Sequence, residues 1–221
     1  IMLMCIFTSV CAGMYLGTEY SDGTVRNKLV CGYGRTVVYL SSLIICFVSS
    51  LLICLTSVLV TFAVGIPLFG LPQAPVLSIA ANYGCGILMT AALSGLFTML
   101  AMLINSKPVS SIVCTIGFFV LLFLTIIIIQ RLAAPEMLTG TYEMSVDGNV
   151  VPQEPVPNPH YLRGMMRTIY EFLRDLLPLG IGIQLNQDGL QHPLQSCLLA
   201  VFVTVSTTAG GILAFRRKDL K

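Results

Sequence analysis

Glu19-Tyr-Ser-Asp-Gly-Thr-Val-Arg-Asn-Lys-Leu-Val-Cys-Gly-Tyr-Gly-Arg35 is the longest polar interruption in the first half of a very apolar chain. It carries charge of both signs and lies between two hydrophobic runs. Such a segment cannot cross a bilayer, because hydrocarbon tolerates neither unpaired charge nor irregular backbone. It therefore sits on one side, and the runs around it decide the fold.

Of 221 residues, 56% are hydrophobic and only 10% charged, against roughly 25% charged in a soluble domain. That deficit, with a mean hydropathy of +0.88, assigns the chain to the all-α, polytopic membrane proteins. No basic tract with interleaved aromatics occurs, which argues against nucleic acid as a partner. The eight cysteines are Cys5, Cys11, Cys31, Cys46, Cys54, Cys85, Cys114 and Cys197, and none has C-x-x-C spacing. All but Cys31 lie within apolar runs, where cysteine behaves as a small hydrophobe. Neither a disulfide framework nor a metal centre is expected.

Residues 1–17 are apolar and short for a full span, which needs about 20 residues. With no basic n-region or cleavage site they read as an incomplete transmembrane helix rather than a signal peptide. Gly13 and Gly17 form a G-x-x-x-G pair that permits close helix contact. Residues 18–36 follow as a cytoplasmic segment. Further transmembrane helices are expected over 37–66, 77–104, 109–130 and 194–215. Pro67, Pro72 and Pro75 mark a turn, and Asn105-Ser-Lys-Pro108 marks another. The third run is rich in small residues (Ala80, Ala81, Gly84, Gly86, Ala91, Ala92, Gly95), a composition suited to a helix-packing or dimer surface.

Alternating sides sorts the basic residues. Arg26, Lys28, Arg35, Lys107, Arg216, Arg217, Lys218 and Lys221 fall on one side. Arg131, Arg163, Arg167 and Arg174 fall on the other. Because the first group lies close to helix ends, the positive-inside bias places it in the cytoplasm, with the tail 216–221. The large loop 131–193 is then extracytoplasmic. It holds a hairpin signal around Asp147-Gly148. A predicted amphipathic helix over 159–177 lies in the interface, with Asn158 as its N-cap and Pro178 as its end. Its apolar positions are Leu162, Met165, Met166, Ile169, Phe172, Leu173, Leu176 and Leu177, with Arg163, Arg167, Glu171, Arg174 and Asp175 opposite.

No apolar run contains Asp, Glu, Lys, Arg or His at its centre. Secondary transporters and pumps generally use such groups as relays or ion ligands, so that class is disfavoured. The chain has no G-x-x-x-x-G-K loop and no H-E-x-x-H motif. No cofactor and no catalytic or metal site is expected, and the chain reads as a non-enzyme. Energy for any uphill transport comes from another subunit.

A transmembrane helix followed by Glu19, Gly23, Thr24, Arg26 and Leu29, then Gly-Tyr-Gly-Arg35 entering the next helix, then a closing Phe215-Arg-Arg-Lys-Asp-Leu, resembles the permease subunits of ABC-2-type transporters. That family often shows E-x-x-x-G-T-x-(K/R)-x-x-L and a basic tail at these places. The resemblance implies six transmembrane helices, five of them visible here. It also implies that two permeases pair as a homodimer or heterodimer in a bacterial cytoplasmic membrane, and that each docks a nucleotide-binding subunit that hydrolyses ATP. The docking residues it points to are Glu19, Asp22, Gly23, Thr24, Val25, Arg26, Lys28, Leu29 and Arg35. On physical grounds Ser21 or Asp22 caps a short helix there, Val25 and Leu29 offer an apolar edge to a groove, and Gly32 ends it. Plain anchoring accounts for Arg26, Lys28 and Arg35 but not for Glu19 or Gly23. The competing reading is a membrane sensor or immunity component that binds a ligand through its outer loop.

Overall fold

Small residues at helical spacing let neighbouring helices close around the third apolar run, and it becomes the centre of the molecule. The structure, a computed structural model, describes residues 2–70, 75–138, 142–144, 150–152, 156–187, 190 and 192–218. The chain is mainly helical: α1 (Met2–Ser21), α2 (Thr24–Val30), α3 (Arg35–Phe69), α4 (Val76–Met102), α5 (Lys107–Leu132), α6 (Met165–Leu176), α7 (Pro178–Asn186) and α8 (Pro193–Arg217). Among the described residues four helical stretches are long and apolar enough to cross a membrane: Arg35–Phe69, Leu77–Met102, Lys107–Leu132 and Pro193–Arg217. The protein is a membrane protein.

Helix α4 touches α1, α3, α5, α7 and α8. Met89, Ala92, Leu93, Phe97, Ala101 and Met102 are buried there. The lower two thirds of its small-residue surface is thus consumed within the chain. Only its start, with Ala80, Ala81 and Gly84, stays exposed. Ser94 Oγ donates to Ser50 Oγ at 3.1 Å and joins α4 to the middle of α3. The buried positions of α3 are Val38, Tyr39, Ser42, Cys46 and Ser50, and none follows Ser50. The helix continues through Pro67, which costs one intrahelical donor in its last turn, so the turn expected at Pro67 begins only at Gly70.

The Gly13/Gly17 pair brings α1 onto α5 at backbone distance. A Cβ at Gly17 would lie 2.8 Å from Lys107 Cα, and one at Gly13 2.9 Å from Ser111 Cα. Helices approach this closely only without side chains between them. α1 also runs to Ser21, beyond the expected boundary at 17, so Glu19 stands on its last turn and not in a loop.

The far end differs from expectation in four ways. Cys85 on α4 and Cys197 on α8 form a disulfide with Cα atoms 5.6 Å apart, so two of the cysteines read as hydrophobes are paired. Asn158 does not cap a helix. Its Oδ1 accepts from His160 N at 2.9 Å, and its Nδ2 donates to the Pro135 carbonyl at 3.0 Å, fixing a turn instead. The amphipathic helix begins only after Gly164, and Pro178 opens α7 rather than closing the element. Finally, Arg174 and Asp175 are buried, while Met165, Met166, Ile169 and Phe172 of the apolar face are exposed. Arg174 Nε donates to Asp175 Oδ1 at 3.0 Å and Gln184 Nε2 donates to the same oxygen at 2.9 Å, so this polar end locks α6 onto α7.

The expected hairpin forms with β2 (Tyr142–Met144) pairing antiparallel to β3 (Val150–Pro152). A second antiparallel pair, β1 (Met137–Leu138) with β4 (Val156–Pro157), closes its base. The Asp147-Gly148 turn signal lies outside the described residues, as do Pro72 and the tail from residue 219.

Gly17→Leu is expected to destabilise the bundle by about 1–3 kcal/mol, because backbone atoms of α5 cannot yield to the new side chain. Gly84→Leu, with nothing within 4 Å of its Cβ position, leaves stability unchanged. Thermal unfolding in detergent micelles reads the difference.

Candidate functional site

The segment from Glu19 to Arg35 folds as the end of one helix, a short helix and the start of another, all at the end of the bundle where α4 and α8 also terminate. Two glycines make this possible. Gly23 has φ +70° and Gly32 φ +90°, left-handed conformations that cost other residues about 1–2 kcal/mol. Between them lies α2. Its last turn closes with Gly32 N donating to Leu29 O at 3.0 Å and Tyr33 N donating to Lys28 O at 3.2 Å, the Schellman pattern. Gly32 thus ends the helix as expected. Its N-terminus does not follow expectation: the N-cap is Gly23, and neither Ser21 nor Asp22 supplies a side-chain cap.

Glu19 holds this corner together. Its side chain is only 12% exposed. The carboxylate accepts from Tyr15 Oη at 2.9 Å one turn earlier on α1 and from Lys28 Nζ at 2.5 Å on α2. It also accepts from Ser42 Oγ at 3.3 Å on α3. The Glu19 carbonyl accepts from Thr24 Oγ1 at 2.7 Å, which occupies one of the free carbonyls at the end of α1. A nearly buried carboxylate with a cationic and two hydroxyl donors is strongly tied, since charge-assisted bonds are about twice as strong as neutral ones. Val25 is buried and Leu29 packs against the core, so the apolar edge of α2 faces its own bundle and not a partner's groove. The outward face of α2 and its exit consists of Arg26, Asn27, Val30 and Tyr33. Asp22 is exposed beside it and forms no ion pair among the described residues.

Arg35 works on a different partner. Its Nη1 donates to the carbonyls of Phe215 at 3.3 Å, Arg216 at 3.0 Å and Lys218 at 2.5 Å. It therefore caps the C-terminus of α8, where orphan carbonyls and the helix dipole favour a cation. Lys218 in turn donates from Nζ to Met102 O at 2.7 Å, at the end of α4, and stands 4.3 Å over the Tyr20 ring. Tyr20 Oη donates to the same Met102 carbonyl at 2.8 Å. The ends of α1, α4 and α8 and the start of α3 are thus one connected polar network with α2 seated on it.

Of the residues singled out in the sequence, Glu19, Thr24, Val25, Lys28 and Leu29 are brought together as the inner side of the corner. Arg26 and Asp22 point outward, Gly23 serves as the hinge, and Arg35 joins the neighbouring helix ends. Sequence reasoning missed Tyr15, Tyr20, Ser42 and Lys218. The Tyr15–Glu19 spacing of four residues was a readable signal. The others meet Glu19 and Met102 only through the fold. Among the described residues no group of three His, Cys, Asp or Glu side chains is placed to hold a metal ion. Comparison with family models, curated proteins and solved structures finds no match.

Burial lowers the Lys218 amine from its ordinary 10.5 to about 8. Below about pH 8 it is charged both folded and unfolded. Between 8 and 10.5 the unfolded chain holds the proton more tightly, so this group's contribution to stability rises with pH across that window. Amine acetylation of Lys218 in the folded protein is expected to reach half its maximal rate near pH 8, against about 10.4 for an unstructured lysine. A midpoint above 10 would mean that the amine is solvated.

Proposed function

We propose that this chain is the transmembrane subunit of an ATP-driven transporter of the ABC-2 type, an exporter, and that α2 is where a separate cytoplasmic ATPase subunit docks. The observation that carries the reading is the Glu19 corner. A seven-residue helix is too short to hold its shape alone in water, yet here it is fixed to α1 and α3 by a nearly buried carboxylate. Its outward face, Arg26, Asn27, Val30 and Tyr33, makes no hydrogen bond to another described residue through its side chains. A rigid, two-sided element of this kind suits force transfer: a push on the outward face reaches α1 and α3 through Glu19, and α4 and α8 through the Arg35–Lys218–Tyr20 network. Rigid-body tilting of these helices is the motion such a coupling drives.

Orientation has two supports. The basic residues of this end, Arg26, Lys28, Arg35, Lys107, Arg216, Arg217 and Lys218, favour the cytoplasm. The Cys85–Cys197 disulfide sits toward the other end, which favours an oxidising exterior there. In this reading α1 is a fifth span, and α6 lies in the outer interface with Met165, Met166, Ile169 and Phe172 toward lipid. Pairing of two such subunits in a bacterial cytoplasmic membrane completes the assembly.

The chain purified from its native membrane is expected to carry a nucleotide-binding subunit with ATPase activity. Val30→Asp combined with Tyr33→Ala, both exposed positions, releases that subunit while the permease keeps its thermal stability. A native preparation with no associated ATP hydrolysis, or an undiminished complex with the double variant, contradicts the proposal.

A further inference from the structure

The inward stripe of α3 does not end where its packing ends. Ser42, Cys46 and Ser50 recur every four residues against the core, and Cys54, Ser57 and Thr61 continue the same face. Above the Ser50–Ser94 hydrogen bond these three residues line an open cleft of about 400 Å³, and beyond it the Phe62 ring meets the Tyr83 ring of α4 at 6.1 Å. The start of α1, the first half of α4 and the end of α7 form its other walls. The volume falls in the range of small-molecule sites, roughly 300–1,000 Å³.

The lining chemistry is selective. Asn82 and Tyr83 on α4, Ser57 on α3 and Asn186 on α7 bring an amide, a phenol, a hydroxyl and a second amide to the cleft. The side chains of these four residues make no hydrogen bond to another described residue. The rest of the lining is apolar or, as with Thr61, bonded to its own helix backbone. None of the lining residues is Asp, Glu, Lys, Arg or His. Polar groups left without partners beside apolar neighbours cost free energy in a lipid setting unless something meets them. With no charged residue in the lining, an ion would lack a counter-charge there, which favours a neutral ligand.

We propose that this cleft is a binding site for an uncharged amphiphile: an apolar body along α3 and α4, with a hydroxyl or similar neutral head at Asn82, Tyr83 and Ser57. The site belongs to one chain and holds whether or not an ATPase docks at α2.

The test uses the full chain in nanodiscs with a diazirine-bearing hexadecanol and the matching diazirine-bearing hexadecyl sulfate. The alcohol is expected to label the α3 peptide containing Ser57 saturably, with displacement by excess unlabelled hexadecanol. The sulfate labels it only to the level seen on the exposed α5 face around Ile116, Val120 and Phe123. Ser57→Phe, a bulky side chain at a partly exposed lining position, fills the cleft and removes the saturable component. Asn82→Leu weakens displacement about fivefold, the effect of one neutral hydrogen bond. Non-saturable labelling in the wild type, equal labelling by both probes, or saturable labelling that survives Ser57→Phe overturns the proposal. The first two outcomes need no variant to fold.

Discussion

The carboxylate of Glu19 is the constraint on which this end of the molecule depends. It lies on the last turn of α1, nearly out of solvent, and accepts from one residue on each of α1, α2 and α3. Removing it would leave the Lys28 amine half-buried without its counter-ion. A buried charge of that kind is far more costly to strand than to pair. Gly23 and Gly32 permit the chain to double back, but permission is not fixation. The carboxylate supplies the fixation, and the seven-residue α2 holds its position because of it.

Around that corner the helix ends are tied by groups that look unrelated along the chain. Arg35 answers the carbonyls of α8, and Lys218 and Tyr20 answer that of Met102 on α4. All three contacts use the unpaired carbonyls that every helix leaves at its C-terminus. The opposite half of the bundle is held differently, by the Cys85–Cys197 bond and the Arg174–Asp175–Gln184 cluster. Between the two ends α3 has no fully buried residue beyond Ser50 and meets α4 again through the Phe62 and Tyr83 rings. One end is rigid and polar, and the other leaves a cleft. That division of labour is what a protein needs if force enters at one end and a ligand sits toward the other.

Much of the helical plan was legible in the sequence because hydrophobic run length is a direct consequence of bilayer or core burial. The expected boundaries of 77–104, 109–130 and 194–215 fall within two residues of α4, α5 and α8. Polar residues at helix ends misled the reading. Glu19 looked like loop and proved to be helix, since its charge is neutralised by Lys28 in the fold. Arg174 and Asp175 looked like a solvated face, and they are buried as an ion pair whose carboxylate also accepts from Gln184. The disulfide could not be read from spacing, as Cys85 and Cys197 stand 112 residues apart. At the candidate site the glycine and carboxylate pattern marked the right segment. The direction of Val25, the capping role of Arg35 and the part played by Lys218 depend on which helices meet, and one sequence does not carry that.

The central claim is that Glu19 makes α2 a fixed part of the bundle. Amide hydrogen exchange over Thr24–Val30, compared between the wild type and Glu19→Ala in the same micelle, tests it most directly. The account predicts that exchange in α2 quickens by roughly tenfold or more, the scale of one lost charge-assisted hydrogen bond, while α5 keeps its protection. Unchanged protection of α2 in the variant would contradict it.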